Sequence, residues 1–123
     1  MRFRPEQHLR RQTEIRAVRE QGRRLDCRAF TLWWRLRAPA PSGEPAPARV
    51  CVIASKAAVG IAVQRNRAKR RLREVFRHRQ AFVPAGCDLL LIARAAAATW
   101  PLPELEAKFA EACARIVPAP AAS

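Results

Sequence analysis

Apolar and polar residues alternate with a period of two in the stretch RAFTLWWRLR, residues 28 to 37. This alternation predicts a β-strand with one face in the core. The core-facing residues are Phe30, Leu32, Trp34 and Leu36. The opposite face has Trp33 followed by arginines, an arrangement that suits the stacking of a nucleic-acid base. The alternative interpretation is that Trp33 packs beneath the first helix.

Two shorter apolar stretches predict further strands, RVCVIAS at residues 49 to 55 and CDLLLIAR at residues 87 to 94. Both are apolar at consecutive positions, which is typical of strands buried on both faces. We therefore expect the 49–55 strand to be central. A helix between the two stretches would make them a parallel pair.

Three helices are predicted around these strands. The first spans about residues 13 to 21, with Thr13 as its N-cap and Gly22 in the left-handed conformation that ends many helices. The second runs from residue 59 or 60 to 79, and the third, which is amphipathic, spans about residues 103 to 117. The second helix has a narrow apolar seam of Ala68, Leu72, Val75 and Phe76.

The resulting order α-β-β-α-β-α describes an α+β sandwich with one central sheet, one covered face and a partly open second face. A chain of 123 residues suits one domain with a single core. We therefore expect residues 1–123 to form a single domain. A Pro-rich loop at 38–48 and a frayed tail at 118–123 fall outside the predicted elements.

Positive charge is concentrated in two parts of the chain. The net charge is +14, to which residues 1–28 contribute +5 and residues 65–79 contribute +7, whereas the residues after 79 sum to −1. The 65–79 segment has one acid, Glu74, which we expect to pair with an arginine of the same helix. Like charges four residues apart destabilise an isolated helix. The pattern therefore indicates a polyanionic partner and a nucleic-acid-binding face.

The residue types that form protein active sites are scattered. The four cysteines lack the close spacing and neighbouring histidines of a zinc site, so we expect buried, reduced thiols. The ten acids form no carboxylate pair that could hold the metal ions of a nuclease. His8 and His78 have no predicted group to orient them. The chain alone is thus predicted to bind rather than to catalyse. Without a membrane-length apolar run or a signal-peptide segment, it is expected to be cytoplasmic.

The segment SKAAVGIAVQRNRAKRRLREVFR, residues 55 to 77, resembles the signature of the protein subunit of bacterial ribonuclease P. That family has a lysine after the central strand, followed by a helix of the form R-N-R-x-K-R-x-x-R-E-x-F-R. The matching residues are Lys56, Arg65, Asn66, Arg67, Lys69, Arg70, Arg73, Glu74, Phe76 and Arg77. The basic first helix and the other two strands also lie at the expected distances.

The resemblance implies a ribosomal protein S5 domain 2-like fold with a left-handed crossover, an exception to the usual right-handed rule. It also implies a partner, a large catalytic RNA that holds Mg²⁺ and removes the 5′ leaders of precursor tRNA. The protein would bind the leader and stabilise the RNA at low Mg²⁺, with no catalytic residue, metal, small-molecule substrate or membrane contact of its own. The residues implied to bind the catalytic RNA are Lys56, Arg65, Asn66, Arg67, Lys69, Arg70, Arg73 and Arg77.

The resemblance further implies a cleft for the single-stranded leader. Its residues here would be Ile15, Arg19, Trp33 and Arg35. The family often has two phenylalanines where this chain has Ile15 and Arg19, and a tyrosine at the position of Trp33. A second lysine commonly follows the first, whereas here Ala57 follows Lys56.

A more cationic cleft with one Trp can still stack on a single strand and neutralise it. Two other functions remain open on the residues alone. One is a ribosome-associated RNA-binding protein without a catalytic role, and the other is a DNA-binding architectural protein.

Overall fold

The computed structural model describes residues 12–37 and 47–116, which form four strands and four α-helices. In chain order these are α1 (Gln12–Gln21), β1 (Arg23–Asp26), β2 (Phe30–Leu36), β3 (Arg49–Ile53), α2 (Lys56–Val59), α3 (Ala62–Arg79), β4 (Cys87–Ala93) and α4 (Leu102–Cys113). The strands form one sheet in the order β1-β2-β4-β3. Strands β3 and β4 are parallel, and the other neighbouring pairs are antiparallel.

The main core lies between the sheet and the helices α3 and α4. Phe30, Leu32 and Trp34 of β2 are buried there, as the alternating pattern predicts. The predicted seam of α3, from Ala68 to Phe76, is also buried. Helix α1 covers part of the opposite face, where Val18 belongs to a smaller apolar cluster. The predicted α+β sandwich is thus confirmed.

The sheet differs from the prediction at both of its edges. Strand β1 was not predicted, because Leu25 is its single apolar residue and is only partly buried. Strand β3, which was expected to be central, lies at the other edge. It is apolar on both faces because Val50 and Val52 enter the main core while Cys51 joins the smaller cluster. The predicted parallel crossover from β3 to β4 is confirmed, and its left-handed sense stays a prediction.

The helix expected from residue 59 or 60 to 79 is α3, which begins at Ala62, and the short helix α2 lies where only a turn was predicted. Gly60 separates α2 from α3 with φ 107° and ψ −137°, a conformation that side-chain-bearing residues rarely adopt. Helix α1 begins at Gln12, so Thr13 lies inside the helix and is not its N-cap. Helix α4 ends at Cys113, earlier than predicted. The tail at 118–123 and most of the loop at 38–48 lie outside the described residues.

Gly22 ends α1 for a reason other than the predicted one. The glycines of the described residues with positive φ are Gly60 and Gly86, so Gly22 is not left-handed. A Cβ atom on Gly22 would lie 2.2 Å from the carbonyl oxygen of Val18 and 2.5 Å from that of Trp34. Glycine is needed because the chain passes directly against the backbone of β2.

Candidate nucleic-acid interface

Seven of the eight residues predicted to contact the catalytic RNA lie on α3, and Lys56 is the first residue of α2. The exposed members are Lys56, Asn66, Arg67, Arg70 and Arg73, and the half-buried ones are Arg65, Lys69 and Arg77. Apart from Arg77, none of the eight forms an ion pair or a side-chain hydrogen bond with another described residue. The five others of these cations that lie on α3, Arg65, Arg67, Lys69, Arg70 and Arg73, therefore carry charge that the described part of the chain leaves uncompensated, and we name them the basic row.

Arg71 of α3 has a structural role. Its Nε donates to the carbonyl oxygen of Ala97 at 2.9 Å, and its Nη2 donates to that of Trp100. Both acceptors lie between β4 and α4, around a 3-10 turn at Ala95–Ala98. These bonds fasten α3 to the segment before α4, so Arg71 is not available to a partner.

The C-terminal end of α3 contains a cluster of paired charges. Glu74 accepts from Nη2 of Arg77, which confirms the expected pairing and lowers the pKa of the Glu74 carboxyl. The Nε2 atom of His78 lies 2.9 Å from Oε1 of Glu74, and its Nδ1 lies 2.6 Å from Oε1 of Glu106 on α4. The expectation that nothing orients His78 is therefore wrong. His8 lies outside the described residues.

The four residues predicted to form the leader cleft are distributed over α1 and β2, on the face of the sheet that α1 partly covers. Ile15 and Trp33 both pack against the small cluster of Val18 and Leu90. Trp33 is half-buried, and so is Arg35, which follows it on the same face of β2. The Cζ atom of exposed Arg19 lies 5.9 Å from the centroid of the Trp33 ring. The structure thus brings Ile15, Arg19 and Trp33 together, with Arg35 next along the strand.

A second cation contacts the same tryptophan and was missed by the sequence analysis. Arg24 lies opposite Trp33 in the pairing of β1 with β2, and its Cζ is 6.0 Å from the ring centroid. Because β1 was not predicted, nothing in the sequence placed Arg24 beside Trp33. The aromatic side chain is therefore flanked by two guanidinium groups that can approach a phosphate backbone.

The apolar surface of this face continues to β3, the strand against which the basic helix α3 packs. Cys51 belongs to the same apolar cluster as Trp33. Burial raises the pKa of the Cys51 thiol, and the charges of Arg73 and Lys69 act in the opposite direction. We name the surface that runs from α1 across Trp33 to Cys51 the open face.

An ion-pair network at one end of the open face positions α1. Asp88 of β4, which is 1% exposed, accepts two hydrogen bonds of 2.8 Å from Arg49 of β3. The Nη1 atom of Arg49 lies 3.1 Å from Oε2 of Glu14 on α1, and Nε of Arg37 lies 3.2 Å from Oδ1 of Asp88. The bond to Asp88 raises the pKa of Arg49. The network ties α1 to the sheet across the edge strand.

All four cysteines are free thiols, as expected, but their burial differs. Cys27, Cys87 and Cys113 are buried, and burial raises their pKa values to about 11, about 12 and about 12 respectively. Cys51 is half-buried. Within residues 12–37 and 47–116, no group of three or more His, Cys, Asp or Glu side chains is placed to hold a metal ion. No helix of these two ranges is long and apolar enough to cross a membrane.

Comparison with known protein families gives a match over nearly the whole chain. A family model described as Ribonuclease P matches residues 3–117. The ribonuclease P protein component of Thermobifida fusca is 37% identical over 106 residues, which are 85% of this chain and 71% of that protein. The component of Stutzerimonas stutzeri is 41% identical over 73 residues, 59% of this chain and 55% of that protein. The chain thus spans about half the length of the first curated relatives that it matches.

Solved structures show the same architecture at low sequence identity. The RNase P protein from Thermotoga maritima has a TM-score of 0.74 and 23% identity, covering 90% of this chain and 98% of that one. The RNase P protein of Staphylococcus aureus has a TM-score of 0.68 and 21% identity, covering 85% of this chain and 90% of that one. These likenesses establish a shared α+β fold.

Proposed function

The chain belongs to the ribonuclease P protein family, and on that premise we propose that it is the RNA-binding subunit of a ribonucleoprotein endonuclease. In this proposal it assists a catalytic RNA in removing the 5′ leaders of precursor tRNA. The uncompensated row of basic residues on α3 is the observation that supports the proposal most strongly. Such a row attracts a polyanion and gains free energy when the polyanion releases its counterions.

The basic row is suited to contacts with phosphates rather than to the reading of bases. Its members are arginines and lysines on successive turns of one helix, and phosphate contacts fix position without specifying sequence. An architectural DNA-binding protein would instead need base-reading side chains on an element that enters a groove. The arrangement on α3 therefore favours a folded RNA that supplies its own specificity.

The open face is proposed to bind the single-stranded leader. Trp33 offers an aromatic side chain, and Arg19 and Arg24 lie over its ring. A half-buried ring beside guanidinium groups can stack on an unpaired base while the cations meet the phosphates. Because α3 packs against β3, which contributes Cys51 to the same face, a leader bound there would pass close to the basic row.

The hydrolysis itself is proposed to take place on the RNA, which would hold the Mg²⁺ ions. The contribution of the protein would be electrostatic. Its cations would neutralise part of the phosphate charge where RNA segments and the leader converge, a task that otherwise requires more Mg²⁺. We therefore expect the protein to matter most at low Mg²⁺ concentration.

Co-sedimentation from cells distinguishes this function from a ribosomal one. The tagged protein should sediment with the RNA of ribonuclease P and should bring precursor tRNA with it. Protein that instead sediments with ribosomal subunits, and that leaves precursor tRNA levels unchanged when it is depleted, would contradict the proposal.

A further inference from the structure

The start of α3 exposes two large apolar side chains on the most basic helix of the molecule. Ile61 is 67% exposed and Val63 is 71% exposed, and Ala57, Ala58 and Ala62 around them are exposed as well. In the described residues, one other large hydrophobic side chain is comparably exposed, Phe82 at 54%. A single exposed apolar residue is ordinary, whereas a contiguous patch usually marks a binding surface.

The backbone around this patch is well hydrogen-bonded. Ser55 caps α2, and its Oγ accepts from the amide of Ala58 at 3.1 Å. The amide of Gly60 donates to the carbonyl oxygen of Lys56 at 2.9 Å, and that of Arg65 donates to Ile61 at 3.0 Å. The positive φ of Gly60 then turns the chain so that Ile61 stands outside the core. The apolar side chains are therefore held outward by a defined backbone.

The patch is continuous with the basic row. Val63 precedes Arg67 by four residues and Arg70 by seven, so the three side chains share one side of α3. The first turn of α3 contains no acid. Because the surrounding charge is positive, a second copy of this chain, itself at +14, would be repelled. An RNA fits both the charge and the apolar surface, since its phosphates are anionic and its bases have apolar faces.

We propose that Ile61 and Val63 pack against an unpaired base of the catalytic RNA, next to phosphates held by Arg67 and Arg70. Unstacked bases are the usual targets of side chains on RNA, and apolar side chains such as Ile can wedge against base faces. The inference rests on the proposed function and adds a contact that depends on buried apolar area rather than on charge. The two kinds of contact differ in their response to salt.

The test is the affinity of the protein for the catalytic RNA as a function of salt concentration. The double variant Ile61→Thr, Val63→Thr keeps the β-branched shape and the net charge but replaces one apolar branch of each side chain by a hydroxyl. Its affinity should fall about tenfold. Its log–log salt slope should equal that of the wild type, because no phosphate contact is lost. The matched control Phe82→Ser removes an exposed apolar side chain away from the row and should bind as the wild type does.

Several outcomes would overturn the inference. Unchanged affinity in the double variant would do so, and so would an equal loss in Phe82→Ser. Sedimentation equilibrium adds a third outcome: a wild-type dimer that the double variant dissociates, at unchanged RNA affinity, would assign the patch to a second copy. If the double variant folds poorly, Val63→Ala, which favours the helix, should still weaken binding severalfold. Wild-type protein that does not bind the catalytic RNA would refute the proposed function itself.

Discussion

The guanidinium of Arg19 lies over the ring of Trp33, with 5.9 Å between its Cζ and the ring centroid. The contact joins α1 to β2 on the open face, and Arg24 adds a second guanidinium at 6.0 Å. Trp33 itself is half-buried against the cluster of Val18 and Leu90. The buried part of the ring therefore packs against Val18 of α1, and the exposed part is available to a ligand.

Replacing this tryptophan should weaken leader binding selectively. Trp33→Ala is expected to lower the affinity of the reconstituted ribonucleoprotein for precursor tRNA about tenfold or more, because stacking on a base contributes about 1–3 kcal/mol. Affinity for mature tRNA, which lacks the leader, should barely change. Fluorescence titration of the two tRNAs gives the comparison.

The contrast between two exposed arginines of α1 makes a control for that result. Arg19→Gln removes a cation from the Trp33 ring and should weaken precursor binding more than Arg16→Gln, which removes an equal charge one turn earlier that does not lie over the ring. Thermal unfolding of Trp33→Ala should be measured alongside. If Trp33→Ala unfolds at a lower temperature and its affinity falls by the same factor for both tRNAs, Trp33 belongs to the core alone.

Two arginines four residues apart on α3 should differ in what their replacement changes: RNA binding for Arg67 and folding stability for Arg71. Arg67→Ala should weaken binding of the catalytic RNA and flatten the log–log salt slope by roughly one unit, because one phosphate contact is lost. Arg71→Lys should leave the slope unchanged and lower the free energy of unfolding by about 1–3 kcal/mol, since a lysine cannot make both bonds to Ala97 and Trp100. If Arg67→Ala keeps the wild-type salt slope and the wild-type affinity for the catalytic RNA, the side of α3 that carries Arg67 faces away from the RNA.

Gly22 should be intolerant of even one methyl group. A Cβ there would meet two carbonyl oxygens at 2.2 and 2.5 Å, so Gly22→Ala must displace α1 or β2. We expect a loss of about 3 kcal/mol in the free energy of unfolding, at the upper end of overpacking costs. Gly86→Ala, where a Cβ has open space but φ is 76°, should cost about 1–2 kcal/mol. Urea titration of both variants measures the difference, and a smaller loss for Gly22→Ala would contradict the geometry.

Thiol chemistry offers a probe of the open face. Because Cys51 is half-buried while the other three thiols are buried with pKa values raised to about 11 or 12, Cys51 should react first with a disulfide reagent at pH 8. The pKa of Cys51 is itself raised, so its rate should increase as pH rises further. Cys51→Ser should remove the fast phase, and a leader oligonucleotide should slow it in the wild type. A fast phase that survives in Cys51→Ser would show that another thiol is accessible.

Much of the fold could be predicted because two clear periodicities specify it. The alternation at Phe30, Leu32 and Trp34 and the seam of α3 identified both sides of the main core. Strand β1 gave no such signal, since its Arg24 and Asp26 are exposed and its pairing with β2 is made by the backbone. The edge position of β3 could not be predicted, because a strand with an apolar cluster on each face has the same sequence pattern as a central strand.

The candidate site was predictable in part for a similar reason. The row on α3 follows from local spacing, whereas contacts between distant segments do not. Asp88 stands out in the sequence as an acid within an apolar run, but its partner Arg49 lies 39 residues away. Likewise, Glu106 reaches His78 across the contact of α4 with α3. Such pairs depend on how the elements pack, which the sequence pattern alone does not define.

Cleavage of precursor tRNA at low Mg²⁺ tests the central claim most directly. Three reactions are compared: the catalytic RNA alone, the protein rigorously freed of RNA, and the two combined. The protein alone should produce no cleavage, and the combination should cleave at the leader junction much faster than the RNA alone. Cleavage by the RNA-free protein, or a combined rate no higher than that of the RNA, would contradict the account.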